Sequence, residues 1–193
     1  MSAVRMHLRR SALLLVLVAA GCANAPKTEL YAFRPTTLPQ AGESRLQVAV
    51  GPVSLPELVN RPQIVVLTGD HTVHVSDLNR WAEPLTTAFP RQLATELAKQ
   101  LDSTRVRLYG QDPADDAAIR VSVDVLRFEG ALGNFTAIEA VWSLQRKGAP
   151  PHSGRSYVRE PLPADGYAAL VAGFERATAR VAADLAAAIR APQ

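Results

Sequence analysis

The sequence predicts a two-layer α+β domain, in which a mixed or antiparallel sheet carries two amphipathic helices packed on one face. Short stretches alternate apolar and polar residues, as half-buried strands do. Two longer stretches repeat apolar residues every three to four positions, as amphipathic helices do. Strands and helices follow one another in mixed order, so one sheet covered by two helices buries both apolar stripes.

The predicted strands are short and bounded by turn residues. The first core strand alternates over residues 46–50 and runs into Gly51-Pro52, which we expect to close it. Two β-rich runs, 64–67 and 72–75, flank a Gly-containing turn and predict a hairpin. Four more strands are expected, with an acidic turn at 112–116 between the first two: 105–109, 119–125, 138–144 and 153–158.

Two helices complete the predicted layer. The first is expected to be capped by Asp77 or Asn79, to hold Trp81 near its start and to kink or restart at Pro90. The second begins near Asp165. Their apolar stripes predict a buried core: Leu93, Leu97, Phe174, Val181 and Leu185.

The N-terminus has the layout of a lipoprotein signal. Arg9 and Arg10 precede an apolar run over residues 12–20, and Ala20-Gly21 leads to Cys22, the one cysteine in the chain. The run is too short for a membrane-spanning helix. We therefore expect residues 1–21 to be removed and Cys22 to carry diacylglycerol and an N-acyl chain, whereas simple secretion is the alternative. No other cofactor is expected.

The remaining chain divides into a tether with a first strand, 22–44, and a single α+β domain, 45–193. A disordered tether of some ten residues would place the domain on the order of 15 to 20 Å from the lipid head groups. The signal carries three arginines and no acid, so the net charge of +3 falls to zero after cleavage. No block of basic residues remains, which argues against a nucleic-acid partner.

Few residues suggest a catalytic or metal-binding role. Asp70, His71, His74 and Asp77 have the composition of a metal site, but residues three apart on a strand point to opposite faces. We expect no metal there, and the motifs of serine hydrolases and phosphate-binding loops do not occur in the sequence. The sequence therefore predicts a protein that is not an enzyme.

Two stretches contain more proline and other turn-forming residues than packing of a core requires. Pro56 and Pro62 stiffen the loop that leads from Leu55 to the hairpin. The residues alone favour a loop that crosses the sheet edge and buries Leu58, although an exposed Leu58 is the alternative. Trp81, which follows Arg80, is either a core residue or a contact anchor.

Those two stretches carry a family resemblance. The segments are Gly51-Pro52-Val53 with Leu55-Pro56-Glu57, then Arg61-Pro62-Gln63-Ile64-Val65, then Arg80-Trp81-Ala82-Glu83-Pro84-Leu85. They resemble the PqiC family, the ABC-type transport auxiliary lipoproteins, across the whole mature chain. Leu58 and Asn60 stand where the family often has Tyr and Asp.

The resemblance implies an outer-membrane lipoprotein that faces the periplasm and takes part, without catalysis, in intermembrane lipid transport and membrane integrity. Its expected partners are an MCE-domain protein that forms the lipid conduit and further copies of itself in a ring. The lipid is expected on Cys22. The residues expected at the partner contact are Leu55, Pro56, Leu58, Arg61, Pro62, Gln63 and Trp81. Two alternatives remain: an outer-membrane assembly lipoprotein of the lipopolysaccharide type, and a periplasmic hydrolase.

Replacing the thiol at Cys22 tests the anchor. Because the predicted attachment is covalent lipid rather than a protein surface, Cys22→Ser should leave the exported domain folded but release it from membranes. Fractionation of cells that lack the partner protein measures this. Exported Cys22→Ser protein that still pellets wholly with outer membranes would refute the lipid anchor.

Overall fold

The computed structural model describes residues 26–34, 37, 42–111 and 117–191. Cys22 and the acidic turn expected at 112–116 lie outside these residues. The strands are β1 (Glu29–Tyr31), β2 (Val48–Ser54), β3 (Gln63–Gly69), β4 (Thr72–Trp81), β5 (Val106–Leu108), β6 (Ile119–Ala131), β7 (Phe135–Arg146) and β8 (His152–Pro161). The α-helices are α1 (Leu85–Leu101) and α2 (Tyr167–Arg190), and a short 3₁₀ helix spans Glu57–Val59.

The predicted α+β class is confirmed, but the described strands form two sheets rather than one. The larger sheet has the order β5-β2-β6-β7-β8, and the smaller has the order β1-β4-β3. The β6-β7-β8 meander and the β3-β4 hairpin are antiparallel, whereas β2 runs parallel to β5 and β6, and β1 runs parallel to β4. Alternation predicts strands but not their partners, so sequence patterns did not separate the sheets.

Both helices pack together and lie on one face of the larger sheet. Helix α1 contacts β2 and β5, and helix α2 contacts β7 and β8. The five residues expected at the centre of the helical stripes are buried, each at most 2% exposed: Leu93, Leu97, Phe174, Val181 and Leu185. No helix of the described chain is long and apolar enough to cross a membrane.

Strand β2 does not close at Gly51-Pro52, as the sequence had suggested, but continues to Ser54. Its pairing with β6 shifts between Val50 and Val53, so the proline falls in an irregular step of the ladder. A proline at such a step needs to donate no ladder hydrogen bond. The breaker signal therefore marks a bulge in this strand and not its end.

The expected start of the first helix is also wrong. Strand β4 extends to Trp81, and α1 begins only at Leu85, directly after Pro84. Asn79 resembles a helix cap in sequence, but its backbone N–H donates to the Ser76 hydroxyl within the strand. Helix α1 then continues through Pro90 without a restart, although a proline at that position removes one intrahelical hydrogen bond.

The helical stripe can be tested with two leucines that differ in burial. Leu97 is fully buried, whereas Leu126 is 44% exposed on β6. Leu97→Ala should lower the free energy of unfolding by about 2 to 5 kcal/mol. Leu126→Ala should change it by about 0.5 kcal/mol or less. Chemical denaturation of both variants measures the difference, and equal midpoints would show that the α1 stripe does not face a core.

Candidate partner-binding site

The fold brings the proline-rich loop before β3 into contact with the segment that follows Arg80. Gln63 at the start of β3 pairs with Arg80 near the end of β4. The Trp81 N–H donates to the Pro62 carbonyl at 2.7 Å. As a result, the loop before β3 and the segment that joins β4 to α1 lie side by side, although about twenty residues separate them in sequence.

A cavity of about 290 Å³ opens between these segments. Its walls combine apolar rings and side chains with two charged groups. The lining residues are Asn60, Arg61, Pro62, Trp81, Ala82, Glu83, Pro84 and Leu85. Pockets of about this size and character bind side chains or small groups of a partner.

The loop that forms one wall is held by its own backbone. The 3₁₀ turn is closed by the Val59 N–H, which donates to the Pro56 carbonyl at 3.1 Å. The Asn60 N–H donates to the Glu57 carbonyl at 3.2 Å, and the Arg61 N–H donates to the Val59 carbonyl at 2.9 Å. The loop is therefore ordered before any partner binds, which lowers the entropic cost of binding.

The expectation that Leu58 is buried is wrong. Leu58 is 46% exposed, and its neighbour Val59, at 6%, packs into the core instead. In a 3₁₀ helix only about one residue in three faces a given side, so burial of Val59 turns Leu58 outward. Leu58 is thus available to a partner, while Leu55, Pro56 and Gln63 are half-buried at the foot of the loop.

Arg61 is the exposed cation at the mouth of the cavity. Its guanidinium has no hydrogen-bond or ion-pair partner within the described part of the chain. The other charged group of the lining, Glu83, is already paired with Arg91 of α1. The cavity therefore combines apolar walls with one positive charge that an acidic partner would neutralise.

Trp81 is chiefly a core residue, being only 6% exposed. Its ring packs against Phe33 at 5.5 Å, Phe174 at 6.4 Å and Phe128 at 6.5 Å between ring centroids. Since Trp81 also lines the cavity, it forms the floor on which a partner group would rest. A direct role of Trp81 in partner binding stays a prediction.

Strand β1 supports this floor from the other side. The Ala82 N–H donates to the Tyr31 carbonyl at 2.8 Å. The Tyr31 hydroxyl donates to Glu29 at 2.7 Å and lies 3.1 Å from the Asn79 side-chain oxygen. Burial and, secondarily, the bond to Glu29 raise the pKa of Tyr31 to about 12. The phenol therefore stays neutral and keeps donating throughout the physiological range.

The site supplies binding groups rather than a recognisable catalytic set. Among the described residues, no cluster of three or more His, Asp or Glu side chains could hold a metal ion. His71 lies in the β3-β4 turn and His74 within β4, both exposed. The sequence did not identify four of the lining residues as site residues, because only the pairing of β3 with β4 shows that their side of the cavity faces Arg61. These residues are Asn60, Glu83, Pro84 and Leu85.

Comparison with known proteins places the chain in a family. Residues 29–186 match the model of the ABC-type transport auxiliary lipoprotein component. The chain therefore belongs to this family of membrane-anchored lipoproteins, which confirms the resemblance seen in the sequence. No curated protein matches the chain significantly.

Solved structures share the fold. The crystal structure of an uncharacterized protein matches with a TM-score of 0.71 and 21% identity, covering 84% of this chain and 99% of the other. A protein from Xanthomonas campestris, assigned to the family DUF330, matches with a TM-score of 0.61 and 22% identity, covering 81% of this chain and 92% of the other. At these identities the similarity establishes the architecture.

Alanine substitutions at Arg61 and at Trp81 should differ in their effect on the stability of the fold. Trp81→Ala removes a buried ring from the aromatic core and should cost about 3 to 5 kcal/mol of unfolding free energy. Arg61→Ala should leave the thermal midpoint unchanged, because the side chain has no partner in the described chain. Thermal unfolding followed by circular dichroism measures both variants. A large loss of stability in Arg61→Ala would assign that side chain an internal role.

Proposed function

We propose that this lipoprotein is an outer-membrane component of an MCE-type intermembrane lipid transport system. It faces the periplasm, carries its lipid on Cys22 and binds the conduit protein through the cavity between residues 60–62 and 81–85. Its role is mechanical, because it receives and positions the conduit and performs no reaction. Further copies of the chain complete the assembly as a ring.

The observation that carries this proposal is the preformed cavity on the two stretches that define the family resemblance. Its floor is fixed by the aromatic core, and its wall is fixed by the 3₁₀ turn. Arg61 lines the cavity without a hydrogen-bond or ion-pair partner among the described residues, and Leu58 in the same loop is 46% exposed. Rigid apolar surface beside an arginine that is free to pair with a partner is typical of a binding site.

Family membership supports the same reading. An auxiliary component of a transporter acts through its partners, so a protein contact is its central requirement. Without residues 1–21 the chain has no net charge, and a local site with one cation fits a protein partner better than nucleic acid.

Capture of the conduit protein tests the proposal. An MCE-domain protein from the same genome is tagged and co-expressed with the lipoprotein, and recovery of the lipoprotein is compared for the parent, Arg61→Ala and Arg45→Ala. Arg45 is the matched control, since it is also exposed and unpaired within the described chain, but it lies before β2 and away from the cavity. Loss of one charge-assisted contact should weaken binding about tenfold or more in Arg61→Ala only.

Two results would count against the proposal. Equal recovery of both variants and the parent would remove the cavity from the partner interface. Recovery of the lipoprotein in inner-membrane fractions on a sucrose gradient, with its signal cleaved, would contradict the outer-membrane location. The thermal midpoint of each variant serves as the folding control.

A further inference from the structure

Strand β4 carries a large, well-fixed bulge. Across the β3-β4 ladder, Gln63 pairs with Arg80 and Val65 pairs with Val75. Four residues of β4, Ser76 to Asn79, therefore stand opposite the single residue Ile64. We name this segment the β4 bulge.

Hydrogen bonds between residues 76 and 80 fix the conformation of the β4 bulge. The hydroxyl of Ser76, which is 3% exposed, accepts from the Asn79 backbone N–H at 3.0 Å and from the Asn79 side-chain amide at 2.9 Å. The Arg80 guanidinium donates to the Asp77 carbonyl at 3.3 Å. Bulges re-aim side chains, and this one is braced at both ends.

The residues that the β4 bulge presents to solvent are Asp77 and Leu78. Leu78 is 36% exposed, and the Asp77 carboxylate has no hydrogen-bond or ion-pair partner within the described chain. Leu30 of β1, which is 66% exposed, lies beside Arg80 in the neighbouring strand and extends the apolar surface. A rigid segment thus displays one acid and one partly exposed leucine, beside the exposed Leu30 of the neighbouring strand.

These features complement the cavity. The bulge offers the Asp77 carboxylate beside an apolar side chain, and the cavity offers Arg61 beside apolar walls; neither charge has a partner among the described residues. We propose that the β4 bulge of one copy docks into the cavity of a second copy, with Asp77 pairing with Arg61 and Leu78 lying against Pro62, Trp81 and Pro84. This inference rests on the ring of the proposed function, whose contact between copies it assigns, and in it a second copy competes with the conduit protein for the same cavity.

A second copy is favoured as the occupant because both halves of the contact are present on the chain. One contact neutralises two opposite charges that have no partner within the described residues, and it covers exposed leucine surface at the same time. A two-fold contact would use both pairs and stop at a dimer, whereas a head-to-tail contact would continue into a ring.

Charge reversal tests the pairing. The full-length lipoprotein is extracted in detergent, and its mass is measured by size-exclusion chromatography with light scattering over a range of concentrations. Arg61→Glu and Asp77→Arg each place like charges together and should weaken self-association about tenfold or more. The double variant Arg61→Glu/Asp77→Arg restores opposite charges and should recover most of the parent association.

A second pair of variants tests the apolar half of the contact. Leu78→Ser should weaken self-association without a change in thermal midpoint, because the side chain is partly exposed. Val141→Ser is the matched control, since Val141 is 39% exposed on β7 and lies away from the cavity. It should assemble like the parent.

Three results would overturn the contact: a parent protein that is monomeric at every concentration, single charge reversals that assemble like the parent, or a double variant that stays weakened. Partner capture separates this failure from failure of the proposed function. If Arg61→Glu keeps the parent mass but loses the conduit protein, the cavity binds the partner and the contact between copies is refuted. If Arg61→Glu loses self-association alone, the contact between copies stands and the cavity is removed from the conduit interface.

Discussion

The packing of Phe128 is the interaction on which the rest of the structure depends. Its ring stacks on Phe174 of α2 with centroids 4.0 Å apart, and it meets Phe89 of α1 edge-on at 5.7 Å and Trp81 of β4 at 6.5 Å. One residue of β6 therefore joins both helices, the larger sheet and the smaller sheet. Aromatic rings bury large areas and add specific edge and stacking energies. The cluster holds the smaller sheet in place together with the buried Ile64 and Val66 of β3.

The cluster also determines the shape of the site. Because the Trp81 ring is fixed among Phe33, Phe128 and Phe174, the backbone that follows it enters α1 at a defined place. The Trp81 N–H then holds the Pro62 carbonyl, which sets the position of the loop that carries Arg61. The cavity is thus built on the core, although its rim is exposed. Its preformed shape reduces the ordering that a partner must bring about.

Sequence reasoning succeeded where one local pattern decides the structure. The repeats of leucine and phenylalanine placed the stripe of both helices correctly, because a helix buries one face whatever its neighbours are. It failed where distant residues compete with a local signal. Asn79 has the character of a helix cap, yet pairing with β1 and β3 extends β4 past it to Trp81. Whether Leu58 or Val59 is buried depends on a single 3₁₀ turn. The alternation of apolar and polar residues does not predict which residue of such a turn faces the core. The two segments that form the cavity were found separately, but only the pairing of Gln63 with Arg80 joins them.

The position of the smaller sheet links the site to the membrane. Cys22, the predicted lipid attachment site, stands seven residues before Glu29, the first residue of β1. A chain of that length spans at most about 25 Å when fully extended. Strand β1 pairs with the end of β4, where the cavity and the β4 bulge lie. A lipid at Cys22 would therefore hold the smaller sheet, and with it the candidate binding surface, close to the bilayer, whereas the helices pack on the larger sheet. An anchor at that position would restrict the directions from which a partner can approach, because the membrane would block one side.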